Sequence, residues 1–337
     1  MSNILDLKSI KDGLNDYYEQ GGGKTFYCGF NVLSNHYNIK EGGVTDWSGY
    51  PGSGKTELLL QVLVNCTKWY GHKHLIYMPD AGSNEEVVAK LIHKYTGKQF
   101  EEFFYNKKGE KVEIKNRITQ EEMFRVLPEI IDSFKIFIPE VKEGNKTRSK
   151  AVTPVEYWNF AAENKKELGI FSGVIDSWNY MKHDVENQRH DQWLEEVLSY
   201  RNELAERNDL HLHTIIHPKA ARKDKNGVIL MPDMNDLKGG SEWGNNGKTI
   251  ILVHRKFESN VTEVLVHKAK PRIVGIQGTA ALYFDLDYGG FYENINGKRE
   301  YSHKEPIEVL TKKAVQPVEV NVDERTESNN NLDDLPF

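Results

Sequence analysis

Residues 44–70 read VTDWSGYPGSGKTELLLQVLVNCTKWY. A short strand-prone run leads into a glycine-rich turn from Gly49 to Thr56, and an apolar-rich stretch suited to a helix follows. The turn satisfies G-x-x-x-x-G-K-[ST], which closes backbone N–H groups around phosphate oxygens at the N-terminus of a helix. Gly49, Pro51, Gly52, Ser53 and Gly54 are the expected cradle. Lys55 should reach the β- and γ-phosphates of a nucleotide, and the Thr56 hydroxyl should ligate Mg2+. ATP and Mg2+ are therefore the expected cofactors.

Working outward, the chain alternates short apolar runs with helical patterns from about residue 40 to 300. The runs fall at 75–78, 136–139, 170–175, 212–216, 249–254, 261–267 and 280–284. Strands alternating with helices predict an α/β fold, a mostly parallel twisted sheet flanked by helices. Gly289 and Gly290 form a turn among the last strands, so the sheet should finish in antiparallel hairpins. Thr119 with Glu122, and Thr153 with Glu156, fit capping boxes. Trp193, Val197, Leu198 and Leu204 form one stripe of a helix over 192–207. Residues 1–25 read as an amphipathic helix, through Ile10, Leu14, Tyr17 and Tyr18, stopped by glycines 21–23. Four segments result: a linker helix and turn (1–40), an ATPase domain (41–300), a connector (301–314) and a polar, acidic tail expected to be disordered (315–337).

Several classes are excluded. Two cysteines, Cys28 and Cys66, make neither a disulfide framework nor an all-cysteine zinc site, so a reducing cytoplasm is expected. No apolar run approaches the roughly 18 residues that span a bilayer, and the first residues lack a signal-peptide pattern. The net charge of −6 argues at first against nucleic acid as a partner. Its location reverses that reading. Residues 315–337 hold six acids and one base, Arg325, and the remaining 314 residues carry 43 basic and 44 acidic side chains. The body is almost neutral, and its cations are free to cluster.

A phosphate loop needs a second carboxylate to hold the metal, and Asp176, closing the apolar run GVID, supplies it; the competing reading is an Asp that caps the next turn. Asp80, just after the run beside the phosphate-loop strand, is the candidate to orient an attacking water. The alternative is an ordinary Asp ahead of the next helix. His217 closes the 212–216 run, where ligands sit in open α/β sheets. A lone His is otherwise most often structural.

Six strings occur in order: GYPGSGKT at 49–56, MPD at 78–80, VIDSWN at 174–179, IIHPK at 215–219, DLKGGS at 236–241 and KPRIVGIQG at 270–278. Together they resemble the ring-forming replicative helicases with a RecA-type core, of the DnaB and Twinkle-like kind, over residues 12–295. The last string fits that family's K-x-R-x-x-G-x-x-G pattern without a gap. The resemblance implies that His217 senses the γ-phosphate. It implies that Arg272 is an arginine finger reaching a neighbouring subunit's nucleotide, with Lys270 beside it. It places the channel loop that tracks single-stranded DNA at 219–238, with Lys219, Arg222, Lys223, Lys238, Gly239 and Gly240 as contacts, Lys225 among the cations, and the glycines giving flexibility. Cations and N–H groups suit sequence-independent phosphate contacts; taken singly, the loop lysines read equally well as solvated charges. Residues 12–23 resemble the linker helix that docks on an adjacent protomer.

One departure is plain. The family usually has Glu where this chain has Asp80, so either a shorter arm positions the water or Glu85 or Glu86 takes the role. No primase or helical collar is expected ahead of residue 40. The function implied is an ATP-dependent replicative DNA helicase working as a homo-hexamer on single-stranded DNA, in the cytoplasm of a bacterial or bacteriophage-infected cell. The alternatives are a RecA-like recombinase or mediator ATPase, or a non-motor replisome adaptor. The end of the tail, LDDLPF at 332–337, resembles the tip of bacterial single-stranded-DNA-binding proteins. Asp333, Asp334, Pro336 and Phe337 would then dock on replisome partners that read such tips; a solubilising tail is the competing reading.

Overall fold

The computed structural model describes residues 7–19, 21–106, 108–143, 146–185, 188–256, 259–286 and 288–302. Tail residues Asp333, Asp334, Pro336 and Phe337 lie outside them.

One ten-stranded sheet organises the described chain. Six strands run parallel: β1 (Val44–Ser48), β2 (Lys73–Tyr77), β3 (Phe134–Ile136), β4 (Ile170–Asp176), β5 (His211–Ile216) and β6 (Thr249–Lys256). Four more continue it antiparallel: β7 (Val261–Ala269), β8 (Gly278–Asp285), β9 (Gly290–Ile295) and β10 (Lys298–Tyr301). The order across the sheet is β10-β9-β8-β7-β6-β1-β5-β4-β2-β3. The mostly parallel sheet with antiparallel hairpins at one edge is the arrangement that the sequence predicts.

Every residue of β1, β4 and β5 is buried, as parallel strands covered on both faces require. Alternation along each strand divides the interior into two cores. Trp47, Val174 and Ile215 pack with the helix α2 (Lys55–Tyr70) on one face. Val44, Ile175 and Ile216 pack on the other. Helices α5 (Pro154–Glu163) and α6 (His190–Arg207) cover that second face, and the predicted stripe of Trp193, Val197, Leu198 and Leu204 is the buried side of α6.

Between α2 and α5 the chain forms α3 (Asn84–Thr96) and α4 (Gln120–Ser133). Both expected capping boxes are present at α4 and α5, and a third, Ser83 with Glu86, starts α3. Helix α1 (Leu7–Glu19) leaves Ile10, Leu14, Tyr17 and Tyr18 exposed. One expected strand is displaced: 136–139 gives only the end of β3. Pro139 has no N–H to continue a ladder, and the chain turns into a hairpin of Glu140–Glu143 with Lys146–Ser149.

A buried ion pair ties α6 to the central strand. Arg201 meets Asp46 of β1 through two contacts, Nη1 to Oδ1 at 2.5 Å and Nη2 to Oδ2 at 3.0 Å, and both side chains are fully buried. Nη1 also donates to Thr214 Oγ1 at 3.2 Å, and the guanidinium lies near the Trp158 and Trp243 rings.

Candidate nucleotide site and nucleic-acid loop

The phosphate loop leaves the C-terminal end of β1 and delivers its chain into α2 at Lys55, with Gly54 at the N-cap. Gly52 and Gly54 have φ of 78° and 89°, a region that side chains other than glycine rarely adopt. Gly49 is needed for a different reason: a Cβ there would lie 2.4 Å from both Ser53 Oγ and the Val253 carbonyl oxygen. Ser53 Oγ is itself buried with no hydrogen-bond partner among the described residues, as suits a group that meets a phosphate oxygen. Pro51 and Gly52 are exposed at the crest of the turn.

Thr56 Oγ1 donates to Asp176 Oδ2 at 2.7 Å, so the two expected metal residues sit together. Burial at the end of β4 pushes the Asp176 carboxyl up to about 6, against the opposing pull of Thr56 and Lys55. Lys55 is buried, and desolvation holds its ammonium below the ordinary lysine value despite Asp176 and Asp80 nearby.

Asp80, Asp176 and His217 converge although they end or follow three different strands. One ligand atom from each lies within 4.8 Å of the others, a set suited to a divalent cation and its water shell. His217 Nε2 is 3.4 Å from Asp80 Oδ2. Burial, with Lys55 adding to it, lowers the imidazole pKa. The backbone N–H of His217 donates to Asn179 Oδ1 at 3.0 Å, and the Tyr180 hydroxyl bonds Asp80, which raises the phenol above its usual value. Of the three acids considered for the water-orienting role, only Asp80 joins this group. Glu86 accepts from Ser83 N in the α3 capping box, and Glu85 is exposed in the first turn.

Beside the loop a cleft of about 360 Å³ runs from Gly52–Glu57 to Arg255, Thr262, Phe284 and Phe291. These four belong to β6–β9, and no local motif marks them. Glu57 in the first turn of α2 is held by Lys94 and Lys90, and the buried Lys94 also donates to the Gly289 carbonyl oxygen at 2.7 Å.

Lys270 and Arg272 lie elsewhere. Ala269, the end of β7, pairs with Thr249, the start of β6, so both cations stand at the N-terminal edge of the parallel strands. The phosphate loop is at the opposite edge: Thr249 pairs with Thr45 and Leu252 with Ser48, so Gly49 lies about 13 Å further along the strands. Both side chains are exposed. The two glycines of the K-x-R-x-x-G-x-x-G string serve close packing. A Cβ on Gly275 would lie 2.1 Å from the His36 carbonyl oxygen, and one on Gly278 would lie 2.2 Å from the His36 ring.

The 219–238 segment leaves the C-terminal end of β5, the same edge as the phosphate loop. Its base is closed by Lys219 N donating to the Asp236 carbonyl oxygen at 2.7 Å and by pairing of Pro218 with Leu237. Lys219, Lys223 and Lys238 are exposed, with no ion-pair partner among the described residues. The Arg222 guanidinium instead rests on Asp236 at 2.8 Å and Asp233 at 3.5 Å, which offsets its charge. Gly239 is fixed, not loose: a Cβ there would meet Leu194 at 2.6 Å and Trp243 Nε1 at 2.8 Å, and Trp243 Nε1 donates to the Lys238 carbonyl oxygen at 3.0 Å. Gly240, with φ of 70°, starts the short helix Ser241–Asn246.

No protein-family profile matches the chain. In sequence it is similar to the Twinkle homolog protein, chloroplastic/mitochondrial, of Arabidopsis thaliana, 22% identical over 304 residues, which is 86% of this chain and 40% of that protein. The chain thus spans about two fifths of the length of this curated relative. In structure it is similar to a solved ATPase domain, with a TM-score of 0.62 and 18% identity, over 85% of this chain and 99% of that one. It is also similar to a DnaB-like replicative helicase described with its interactions with primase, with a TM-score of 0.60 and 17% identity, over 86% of this chain and 67% of that one. The resemblance carried by the six strings is met in both comparisons, and the chain has the RecA-like fold of the DnaB-like helicase ATPase domains.

Proposed function

We propose that this chain is an ATP-dependent DNA helicase motor that hydrolyses Mg-ATP between subunits of a homo-hexameric ring and translocates on single-stranded DNA to unwind duplex. The observation that carries the reading is the split of the candidate residues between two edges of one sheet. Lys55, Thr56, Asp80, Asp176 and His217 gather at one edge, and Lys270 and Arg272 stand at the other. A finger there serves a nucleotide only when a neighbouring copy brings its phosphate loop alongside.

In this reading Gly49, Pro51, Gly52, Ser53, Gly54 and Lys55 hold the triphosphate, and Thr56 and Asp176 hold the metal. Bound Mg2+ neutralises charge on the phosphate oxygens. Asp80 orients the attacking water, held by His217 and Tyr180. Lys55 and the neighbour's Arg272 stabilise charge on the transferring phosphoryl group, with Lys270 as companion. Lys219, Arg222, Lys223 and Lys238, with the backbone at Gly239 and Gly240, contact the DNA strand. Residues 1–40 serve as linker to the next protomer and 41–300 as the motor.

Strand displacement on a forked duplex, with and without ATP, tests the proposal, together with electron microscopy of the assembly. Unwinding by closed six-fold rings is expected. Open helical filaments would support the recombinase reading, and ATP turnover without strand displacement would support the adaptor.

A further inference from the structure

Tyr50 lies inside the phosphate loop but is not one of the residues that its sequence pattern constrains. Its side chain is buried, and its hydroxyl accepts a hydrogen bond from the backbone N–H of Arg222 at 3.3 Å, 172 positions away. Each end of this contact is firmly held. On one side the Tyr50 carbonyl oxygen accepts from Ser53 N at 3.0 Å, a bond that closes the loop around the phosphate position. On the other, the Arg222 guanidinium grips Asp236 and Asp233 near the far end of the 219–238 segment, and Lys219 N meets the Asp236 carbonyl oxygen at its base. A shift of the phosphate loop therefore reaches the whole segment as one body. Ser48 Oγ also donates to the Ile216 carbonyl oxygen at 2.7 Å and holds β1 and β5 in register.

We propose that the Tyr50 hydroxyl is a positioning contact that couples the nucleotide site to the 219–238 segment. This rests on the helicase reading above, in which that segment touches DNA. The His217 route joins the same two regions through a side chain at the strand end; Tyr50 joins them from the phosphate loop itself. The donor is a backbone N–H, so Tyr50→Phe removes the contact and leaves the Arg222 side chain in place.

The test measures ATP turnover with and without an oligo(dT) strand, in wild-type protein and in Tyr50→Phe. The ratio of stimulated to basal turnover should fall about fivefold in the variant, the scale of one lost hydrogen bond. A variant ratio equal to that of a DNA-stimulated wild type overturns the inference and leaves the helicase reading standing. A wild type with no stimulation overturns both. Hydrogen exchange of wild-type peptides from 219–238, compared between Mg-AMP-PNP and Mg-ADP, gives a second readout that needs no variant. Nucleotide-dependent protection at Arg222 is expected. Identical exchange in the two nucleotide states overturns the inference even if Tyr50→Phe does not fold.

Discussion

Arg201→Met should cost about 4 kcal/mol of stability, because it leaves Asp46 buried and charged with no partner. The environment sets the scale. Asp46 and Arg201 are both fully buried, the pair is bidentate, and Thr214 Oγ1 loses its donor as well. Methionine keeps an apolar stem between the Trp158 and Trp243 rings, so the loss is electrostatic more than a matter of volume. Asp46→Ala should cost a similar amount, since it strands the guanidinium. The double variant should be less damaged than either single, because no unpaired charge remains.

Urea unfolding followed by tryptophan fluorescence measures these differences, helped by the four fully buried indoles Trp47, Trp158, Trp178 and Trp243. A loss of about 4 kcal/mol corresponds to about 8 °C in Tm for a domain of this size. Since Asp46 lies in the strand that ends at the phosphate loop, the singles should also bind nucleotide more weakly. Single variants that cost under about 1 kcal/mol, or a double variant whose cost equals the sum, would refute the claim that the pair is mutually dependent.

Three further outcomes are expected. Lys55→Ala should abolish ATP turnover while the Tm stays within about 2 °C of wild type, because Lys55 is buried at a cost to its own charge and its removal relieves that cost; intact turnover would remove the phosphate-loop assignment. Arg272→Ala should bind ATP but not hydrolyse it, and mixing with Lys55→Ala subunits should restore some turnover; mixtures as inactive as either parent would remove the role in trans. Stability should fall with acid below the ordinary histidine range. Burial depresses His74 to about 3 and His211 to about 4, and holds His213 well below the ordinary histidine value. A depressed folded pKa means that the stabilisation is full above about pH 6.5 and is lost as pH falls toward the folded values, by up to about 1.4 kcal/mol per unit for each group. A Tm that stays flat between pH 6.5 and pH 5 would contradict this.

What the sequence discloses depends on whether the information is local. The phosphate loop, the strand ending at Asp176 and the capping boxes at Thr119 and Thr153 are each set by residues within a few positions, and the structure reproduces them. Asp46 reads locally as a polar residue in a strand; its meaning depends on Arg201, 155 positions later. The meeting of Asp80 with His217 is of the same kind. They follow β2 and β5, which are separated by β4, and only the strand order brings their side chains together over Asp176. Arg255, Thr262, Phe284 and Phe291 line the cleft from strands whose alternation shows burial but not what they face. The glycines at 239, 275 and 278 are visible as a pattern, yet flexibility is the wrong inference for Gly239, and Gly275 and Gly278 are likewise held by close packing.

The antiparallel turn of β7 has a consequence for assembly. A strand that reverses after β6 must end at the edge where β6 began, so Lys270 and Arg272 are carried away from their own phosphate loop by the fold itself. No side-chain rotamer spans the stretch of strand from Thr249 to the start of the loop, about 13 Å. On the helicase reading, then, the surface bearing Arg272 on one copy meets the surface bearing the phosphate loop on the next. Two different patches meeting in this way make a heterologous contact, which closes into a ring when the rotation per subunit divides a full turn and grows into a filament when it does not. Helix α1 leaves Ile10, Leu14, Tyr17 and Tyr18 exposed, and Tyr17 lines the same depression as Lys270 and Pro271. On the helicase reading, an apolar helix face beside a finger edge would give each subunit two points of purchase on its neighbour, and two points would fix a rotation where one would leave a hinge. Ring closure would accordingly depend on α1, and turnover on Arg272.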